Sequence, residues 1–197
     1  MNQTPTGNYF VSDDAFDKLY PIYIQQLSAA HWTPLNVALT AARFLAPDKT
    51  ARIIDIGAGA GKFCITGRYN TPGSFTGIEQ RKNFVRTGNK VIRRLKLSDV
   101  SLIHGNFMHH DLSHYTGIYF YNSFHENIVF SDSLDDKIER STELYLLYTA
   151  HLTEQLGKMP VGTRLATYWL SLNEIPGSYT LLQSHFNNLL KLWVKEN

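Results

Sequence analysis

The sequence predicts an α/β fold of three layers, in which a seven-stranded, mostly parallel sheet is covered by helices on both faces. Three observations lead to this fold class. Short apolar runs alternate with helical patterns from Arg52 onward, as parallel strands joined by helices do. A glycine-rich run directly follows the first of these strands. At the end of the chain, two strand-like runs are separated only by Asn187-Asn188, so they form a hairpin and the last strand is antiparallel to its neighbour.

Length and composition predict a single domain. The chain has 197 residues, of which 43% are hydrophobic and 18% charged, an ordinary balance for a globular protein. We expect a helical N-terminal cap over residues 1–48 and a ligand-binding α/β core over residues 49–197. The formal net charge of +2 gives no reason to expect a general nucleic-acid binder.

The compartment is predicted from what the sequence does not contain. Cys64 is the single cysteine, so no internal disulfide can form. The first residues are polar and acidic, unlike a signal peptide, and no apolar run is long enough to cross a bilayer. We therefore expect a cytoplasmic protein with no membrane partner. The oligomeric state is left open.

The elements follow in order along the chain. Residues 13–45 predict two or three short helices, one with Phe16, Leu19 and Tyr20 that ends at Pro21. In another, Thr33 is expected as the N-cap and Pro34 as the first helical residue. The predicted strands are residues 52–56, 74–78, 100–104, 118–121, 163–169, 179–186 and 189–194. The predicted helices of the core begin at Lys62 and cover residues 81–97 and 135–156.

The strongest site signal is the run from Asp55 to Phe63, DIGAGAGKF, at the turn from the first strand into a helix. Glycines there allow a tight bend and a close approach by a ligand, and the helix presents free N–H groups. This run resembles motif I of the class I S-adenosylmethionine (AdoMet)-dependent methyltransferases. The resemblance implies that Asp55 lies near the ammonium group of AdoMet, and that the loop contacts its amino-acid end through Gly57, Ala58, Gly59, Gly61 and Phe63.

Two further strand ends extend the resemblance over residues 52–194. Glu79, with Gln80 beside it, follows the second strand about twenty residues after the glycine loop, where the family has its ribose-binding acid. Asn106-Phe107 follows the third strand, where the family binds adenine. The resemblance implies that Asn106 bonds the adenine amino group and that Phe107 lies against the ring. AdoMet is thus the expected cofactor.

The segment after the fourth strand bears on the methyl acceptor. Asn122-Ser123-Phe124 partly resembles the N-P-P-Y motif of methyltransferases that act on nitrogen, although both prolines are absent. It also faintly resembles the Asn-Asn-Phe segment of the non-SET histone-lysine methyltransferases. Either likeness implies that Asn122 and Phe124 border the methyl group and an acceptor, more often a nitrogen of a protein side chain or small molecule. A strand-end cap is the alternative role for Asn122.

Other features are weaker. Thr33 or Trp32 could contact the cofactor from the N-terminal helices, although core packing is an equal alternative for Trp32. No metal site is expected, because His104, His109, His110 and His114 do not have the sequence spacing that is typical of zinc ligands. A basic helix face, formed by Lys82, Arg86, Lys90, Arg93 and Arg94, is typical of a solvated surface, and docking of an acidic partner or RNA is the alternative.

Two other functional classes stay open. A nicotinamide-dependent oxidoreductase would share the glycine turn and the ribose acid. It is disfavoured by the terminal hairpin and by Lys62, which stands where dinucleotide sites have a small residue. A non-catalytic methyltransferase-like interaction domain would be expected to lose Asp55 or Glu79, and both are present.

Overall fold

The computed structural model describes residues 10–128, 138–170 and 175–197. These residues form a seven-stranded sheet in the order β3-β2-β1-β4-β5-β7-β6. Strands β1 to β5 pair in parallel, and β7 enters between β5 and β6 antiparallel to both, so that six of the seven strands run in the same direction. The predicted fold class is therefore confirmed, including the antiparallel last strand.

Three helices precede the first strand, and strands and helices then follow one another to the terminal hairpin. The helices are α1 (Asp13–Asp17), α2 (Ile22–His31), α3 (Leu35–Leu45), α4 (Lys62–Asn70), α5 (Lys82–Arg94) and α6 (Thr142–Lys158). The strands are β1 (Arg52–Ile56), β2 (Ser74–Glu79), β3 (Val100–His104), β4 (Gly117–Tyr121), β5 (Arg164–Tyr168), β6 (Tyr179–His185) and β7 (Leu190–Lys195). Single 3₁₀ turns follow β3 and β4, at Phe107–His109 and His125–Asn127.

The sheet separates two apolar cores. Alternate side chains of β1 point to opposite faces, so Ile53 packs with the core of α1 to α5, whereas Ile54 packs with α6. Helices α1 to α3 share a continuous core with α4 and the sheet. The predicted division at residue 48 stays a prediction, because a shared core does not define a boundary.

The start of α3 differs from the sequence prediction. Pro34 is the N-cap residue, and its side chain has no hydrogen-bond acceptor that could cap the helix. The hydroxyl of Thr33 instead hydrogen-bonds to the hydroxyl of Tyr119 at 2.8 Å. The carboxylate of Asp13, from the start of α1, accepts the backbone N–H of Leu35 at 3.0 Å. A contact between separate helices has thus replaced the local cap that the sequence predicts.

Two other helix predictions were too long. Helix α1 ends at Asp17, and Leu19 and Tyr20 are buried outside it. Helix α6 begins at Thr142 rather than near residue 135, because the hydroxyl of Ser141 accepts the N–H of Leu144 and caps the helix there. Near the predicted start of this helix, residues 134–137 lie outside the described residues, and Ile138 precedes the observed helix α6.

Candidate functional site

A cavity of about 440 Å³ lies at the carboxyl ends of β1, β2, β4 and β5. The chain order of the sheet reverses between β1 and β4, and ligands of open α/β sheets bind outside such a switch point. The cavity is bordered by the turn after β1, the ends of β2 and β4, and the segment between α2 and α3. The predicted site residues that line it are Thr33, Asp55, Gly57, Ala58, Gly59, Phe63, Glu79, Gln80, Phe107, Asn122 and Phe124.

The glycine turn is held by the end of β2. The N–H groups of Gly57 and Ala58 both donate to the carbonyl of Ile78, each at 2.9 Å. Gly57 has a φ of +77°, and a β-carbon on it would lie 2.4 Å from the Cβ of Ser123. Any larger residue would therefore clash with the segment after β4. Gly61, which caps α4 with a φ of +86°, packs against Leu102 and is not among the residues that line the cavity.

Glu79 joins the glycine turn to the two neighbouring loops. One carboxylate oxygen accepts the N–H of Gly59 at 3.0 Å, and the other accepts the N–H of Arg81 at 2.8 Å. The Arg81 guanidinium forms a two-point ion pair with Glu126, at 3.1 and 2.6 Å. Burial raises the pKa of Glu79, although the hydrogen bond from Arg81 and the guanidinium charge oppose the shift.

Asp55 is a buried carboxyl at the end of β1. It is 4% exposed, and its described hydrogen-bond partner is the thiol of Cys64, at 3.7 Å. Burial raises its pKa to about 8, and the nearby charge of Glu79 adds to the shift. Asp55 is therefore largely protonated at neutral pH, and a cation placed beside it would favour its ionised form.

Lys62 anchors the N-terminal helices to the glycine turn. Its ammonium group is buried and contacts Asp13 at 2.5 Å, Asp17 at 2.9 Å and the hydroxyl of Ser28 at 3.1 Å. The sequence indicated only that Lys62 was unsuited to close helix packing. The side chain is nevertheless buried, because Asp17 and Asp13 neutralise its charge. These two residues precede Lys62 by 45 and 49 positions in the chain.

Aromatic side chains form the wall between the sheet and α3. The ring of Phe63 stacks on Tyr119 with a centroid separation of 3.8 Å and an interplanar angle of 10°. Tyr20 donates its hydroxyl to the carbonyl of Ala60 at 2.9 Å, and its ring meets Trp32 edge-on at 5.0 Å. Trp32 is 8% exposed and lines the cavity. It thus has both the core contacts and the site position that the sequence left as alternatives.

The segment after β4 provides the opposite wall. Asn122 lines the cavity with a φ of +37°, which is an unusual backbone conformation for a residue with a side chain. Ser123 donates its hydroxyl to the carbonyl of Ile56 at 2.7 Å and so closes this segment onto β1. Phe124 is buried and stacks on Phe107 at 5.1 Å. The role of Asn122 stays a prediction.

The side chain of Asn106 is hydrogen-bonded within the protein. Its amide oxygen accepts the N–H of Met108 at 3.0 Å, and its amide nitrogen donates to the hydroxyl of Tyr148 at 2.9 Å. Its neighbours Gly105 and Phe107 line the cavity, whereas Asn106 is not among the lining residues. An adenine contact by its side chain stays a prediction, and it would have to share the amide oxygen with Met108.

Several lining residues escaped the sequence analysis. Lys62, Arg81, Glu126, Tyr148 and Trp169 all border the cavity, although they lie far apart in the sequence. The only local signal was the position of Arg81 two residues after Glu79. Within the described ranges, no group of three histidine, cysteine or acidic side chains could hold a metal ion.

Comparisons with known proteins place the fold. No protein-family model matches the sequence, and no curated protein is similar to it in sequence. Among solved structures, the chain is similar to an RNA methyltransferase from Salinibacter ruber, solved with S-adenosyl-L-homocysteine. The two share 20% identity with a TM-score of 0.57, over 84% of this chain and 94% of that one.

Two other structures resemble the chain at lower identity. One is yhhF from Escherichia coli, described provisionally as a methyltransferase, with 14% identity and a TM-score of 0.59 over 82% of this chain and 87% of that one. The other is the [4+2]-cyclase SpnF, with 16% identity and a TM-score of 0.51 over 68% and 44%. The chain thus has the class I methyltransferase fold, as its motifs led us to expect. The described helices include none that is long and apolar enough to span a membrane.

The buried ion pair of Lys62 generates a stability prediction. Lys62→Met keeps the apolar stem but leaves Asp17 buried without its partner. Removing one member of a buried pair typically costs about 3–5 kcal/mol, and we expect a loss of that size in the free energy of unfolding, measured with urea. Asp17→Asn in the same chain should restore part of it. Lys158→Met, which removes an exposed ion pair with Glu154, is the control and should leave stability almost unchanged. Equal stability of Lys62→Met and wild type would contradict the assigned role.

Proposed function

We propose that the protein is an AdoMet-dependent methyltransferase that transfers a methyl group to a nitrogen acceptor. The observation that carries the proposal is a pair of buried carboxyl groups, Asp55 and Glu79, that line one cavity on either side of a glycine turn. AdoMet has an ammonium group and two ribose hydroxyls, and these groups are suited to the two carboxyls. The structural likeness to an RNA methyltransferase solved with S-adenosyl-L-homocysteine (AdoHcy) supports the same ligand.

Asp55 is suited to the ammonium group because it lacks a cationic partner among its described contacts. A bound ammonium would ionise it and offset the cost of burying that charge. Helix α4 begins at Lys62, beside this position, so its first N–H groups point toward the amino-acid end of the ligand. The N–H groups of Gly57, Ala58 and Gly59 are bonded within the protein, so the turn supplies close approach and shape.

Glu79 is suited to the ribose because each carboxylate oxygen retains acceptor capacity. Each accepts one backbone N–H, and a carboxylate oxygen can accept two hydrogen bonds. The two ribose hydroxyls would therefore complete the coordination of Glu79. The stacked rings of Phe107 and Phe124 also border the cavity and would offer an apolar surface for adenine.

Asn122 is the proposed positioning residue for the acceptor. AdoMet supplies an electrophilic methyl group: the acceptor nitrogen lone pair forms the new N–C bond as the S–C bond breaks, and AdoHcy leaves. The protein has to align the acceptor and exclude water. The side-chain carbonyl of Asn122 can accept an N–H of the acceptor and so direct its lone pair toward the methyl group. Nitrogen is proposed because of this partial motif, and the acceptor would be a protein side chain or a small molecule.

Ligand-dependent thermal unfolding tests the proposed cofactor. AdoHcy should raise the melting temperature, since a ligand at one hundred times its Kd stabilises the folded state by about 2.7 kcal/mol. NAD should have no effect at the same concentration. Glu79→Gln keeps the shape but removes the charge, and we expect it to weaken AdoHcy binding about tenfold to a hundredfold. A shift with NAD and none with AdoHcy would instead support an oxidoreductase.

The raised pKa of Asp55 predicts proton release on ligand binding. A carboxyl with a pKa of about 8 is about nine-tenths protonated at pH 7, and an adjacent ammonium would ionise it. Calorimetry in buffers of different ionisation enthalpy should therefore detect the release of nearly one proton per AdoHcy bound. Affinity should rise by up to about tenfold per pH unit below pH 8 and then level off.

Substitution of Asp55 isolates its contribution to that proton release. Asp55→Asn should abolish both the release and the pH dependence, whereas Asp111→Asn, at an exposed position outside the cavity, should preserve them. If Asp55→Asn released as many protons as wild type, the ammonium would have to bind elsewhere.

Cofactor binding and catalysis should separate at Asn122. Once an acceptor is found by profiling with labelled AdoMet, Asn122→Ala should lower kcat about a hundredfold, because a misplaced acceptor loses its proximity advantage. AdoHcy affinity should stay within a few fold. Asn70→Ala, at the opposite end of α4 from the cavity, is the control. Full turnover by Asn122→Ala would reduce the residue to a strand-end cap, and loss of AdoHcy binding would move it into the cofactor site.

A further inference from the structure

The indole N–H of Trp32 is a buried donor with no hydrogen-bond partner among the described residues. The side chain is 8% exposed and borders the cavity. Buried polar groups in folded proteins are almost always hydrogen-bonded, and an exception at a cavity indicates a ligand contact. The other buried indole, Trp193, follows the rule and donates to the hydroxyl of Thr167 at 3.1 Å.

The indole nitrogen faces the glycine turn inside the cavity. The atom nearest to a β-carbon built on Gly59 is Nε1 of Trp32, at 3.7 Å. Gly59 has a φ of +57°, and both residues line the cavity. A β-carbon at position 59 would therefore be in van der Waals contact with the indole nitrogen, which lies directly beside the glycine turn.

Neighbouring contacts fix the orientation of the indole. Tyr20 packs edge-on against it at 5.0 Å, and the Tyr20 hydroxyl is bonded to the carbonyl of Ala60 in the glycine turn. The Lys62 ammonium lies 5.9 Å from the indole ring centroid. Since Lys62 also binds α1 and α2, the indole is held in a fixed position relative to the turn.

The chemistry of the donor selects the ligand group. An indole nitrogen donates and cannot accept, so it cannot bind an ammonium. The positive end of α4 favours an anion at the same place. We propose that the Trp32 N–H donates a hydrogen bond to the carboxylate of the amino-acid moiety of AdoMet, opposite the ammonium at Asp55. This inference rests on the proposed function, and it makes the segment before α3 part of the ligand site.

A pair of ligands that differ only in the amino-acid moiety tests the contact. AdoHcy has the carboxylate, and 5′-methylthioadenosine keeps the adenosine and the sulfur without it. Trp32→Phe retains an aromatic ring against Tyr20 but has no N–H. By calorimetry, it should bind AdoHcy about tenfold to a hundredfold more weakly than wild type, as expected for a lost bond to a charged acceptor. Its affinity for 5′-methylthioadenosine should stay within twofold. Trp193→Phe, which also loses a buried indole bond, should bind both ligands as wild type does.

A second measurement uses the wild-type chain and is independent of how well Trp32→Phe folds. The chain has three tryptophans, so its ¹⁵N spectrum has three indole resonances, which Trp169→Phe and Trp193→Phe assign. AdoHcy should shift the Trp32 Nε1–H resonance downfield and slow its exchange with water, whereas 5′-methylthioadenosine should do neither.

The possible outcomes distinguish this inference from the proposed function. Equal weakening of both ligands by Trp32→Phe, or an indole signal that responds equally to both, would overturn the carboxylate contact and leave AdoMet binding intact. If wild type bound AdoHcy no better than NAD, the proposed function would fail and the carboxylate contact with it.

Discussion

The close approach of the β1–α4 turn to its neighbours is the constraint on which the rest of the site depends. A β-carbon on Gly57 would overlap the side chain of Ser123, and the N–H of Gly59 is bonded to Glu79. The turn can fit between β2 and β4 only if its residues are small and adopt positive φ angles. Once it fits, the ends of β1, β2, β4 and β5 meet around one cavity, and the buried carboxyls of Asp55 and Glu79 both border that cavity.

This packing also buries three ionisable side chains of the site. Lys62, Asp55 and Glu79 are all buried, and the structure compensates them differently. Lys62 is neutralised by acidic residues of α1, and Glu79 by backbone N–H groups and Arg81. Asp55 has only a thiol among its described hydrogen-bond partners, so burial raises its pKa. The least compensated carboxyl thus marks the position at which an external cation would be most strongly bound. The indole N–H of Trp32 borders the same cavity and has no hydrogen-bond partner among the described residues.

The fold and the site carry different information about function. The same fold is found in an RNA methyltransferase and in a [4+2]-cyclase, so the sheet order alone does not determine the reaction. The proposed reaction therefore rests on the two carboxyls, the glycine turn and Asn122. Both neighbours are less than 25% identical to this chain, which leaves the residues around the acceptor free to differ. Differences near Asn122, the proposed positioning residue for the acceptor, would select the substrate.

The sequence by itself determined the order of the elements, the antiparallel entry of the last strand and eleven of the residues that line the cavity. It could do so because strand ends, glycine turns and a two-residue hairpin loop are local features. A local rule failed where a distant partner replaced it: the carboxylate of Asp13 caps α3. The same reason hid the burial of Lys62, whose partners Asp13 and Asp17 come from another helix. Only the tertiary structure decided these contacts, because a buried charge or donor is satisfied by whichever group the fold places beside it, at any separation along the chain.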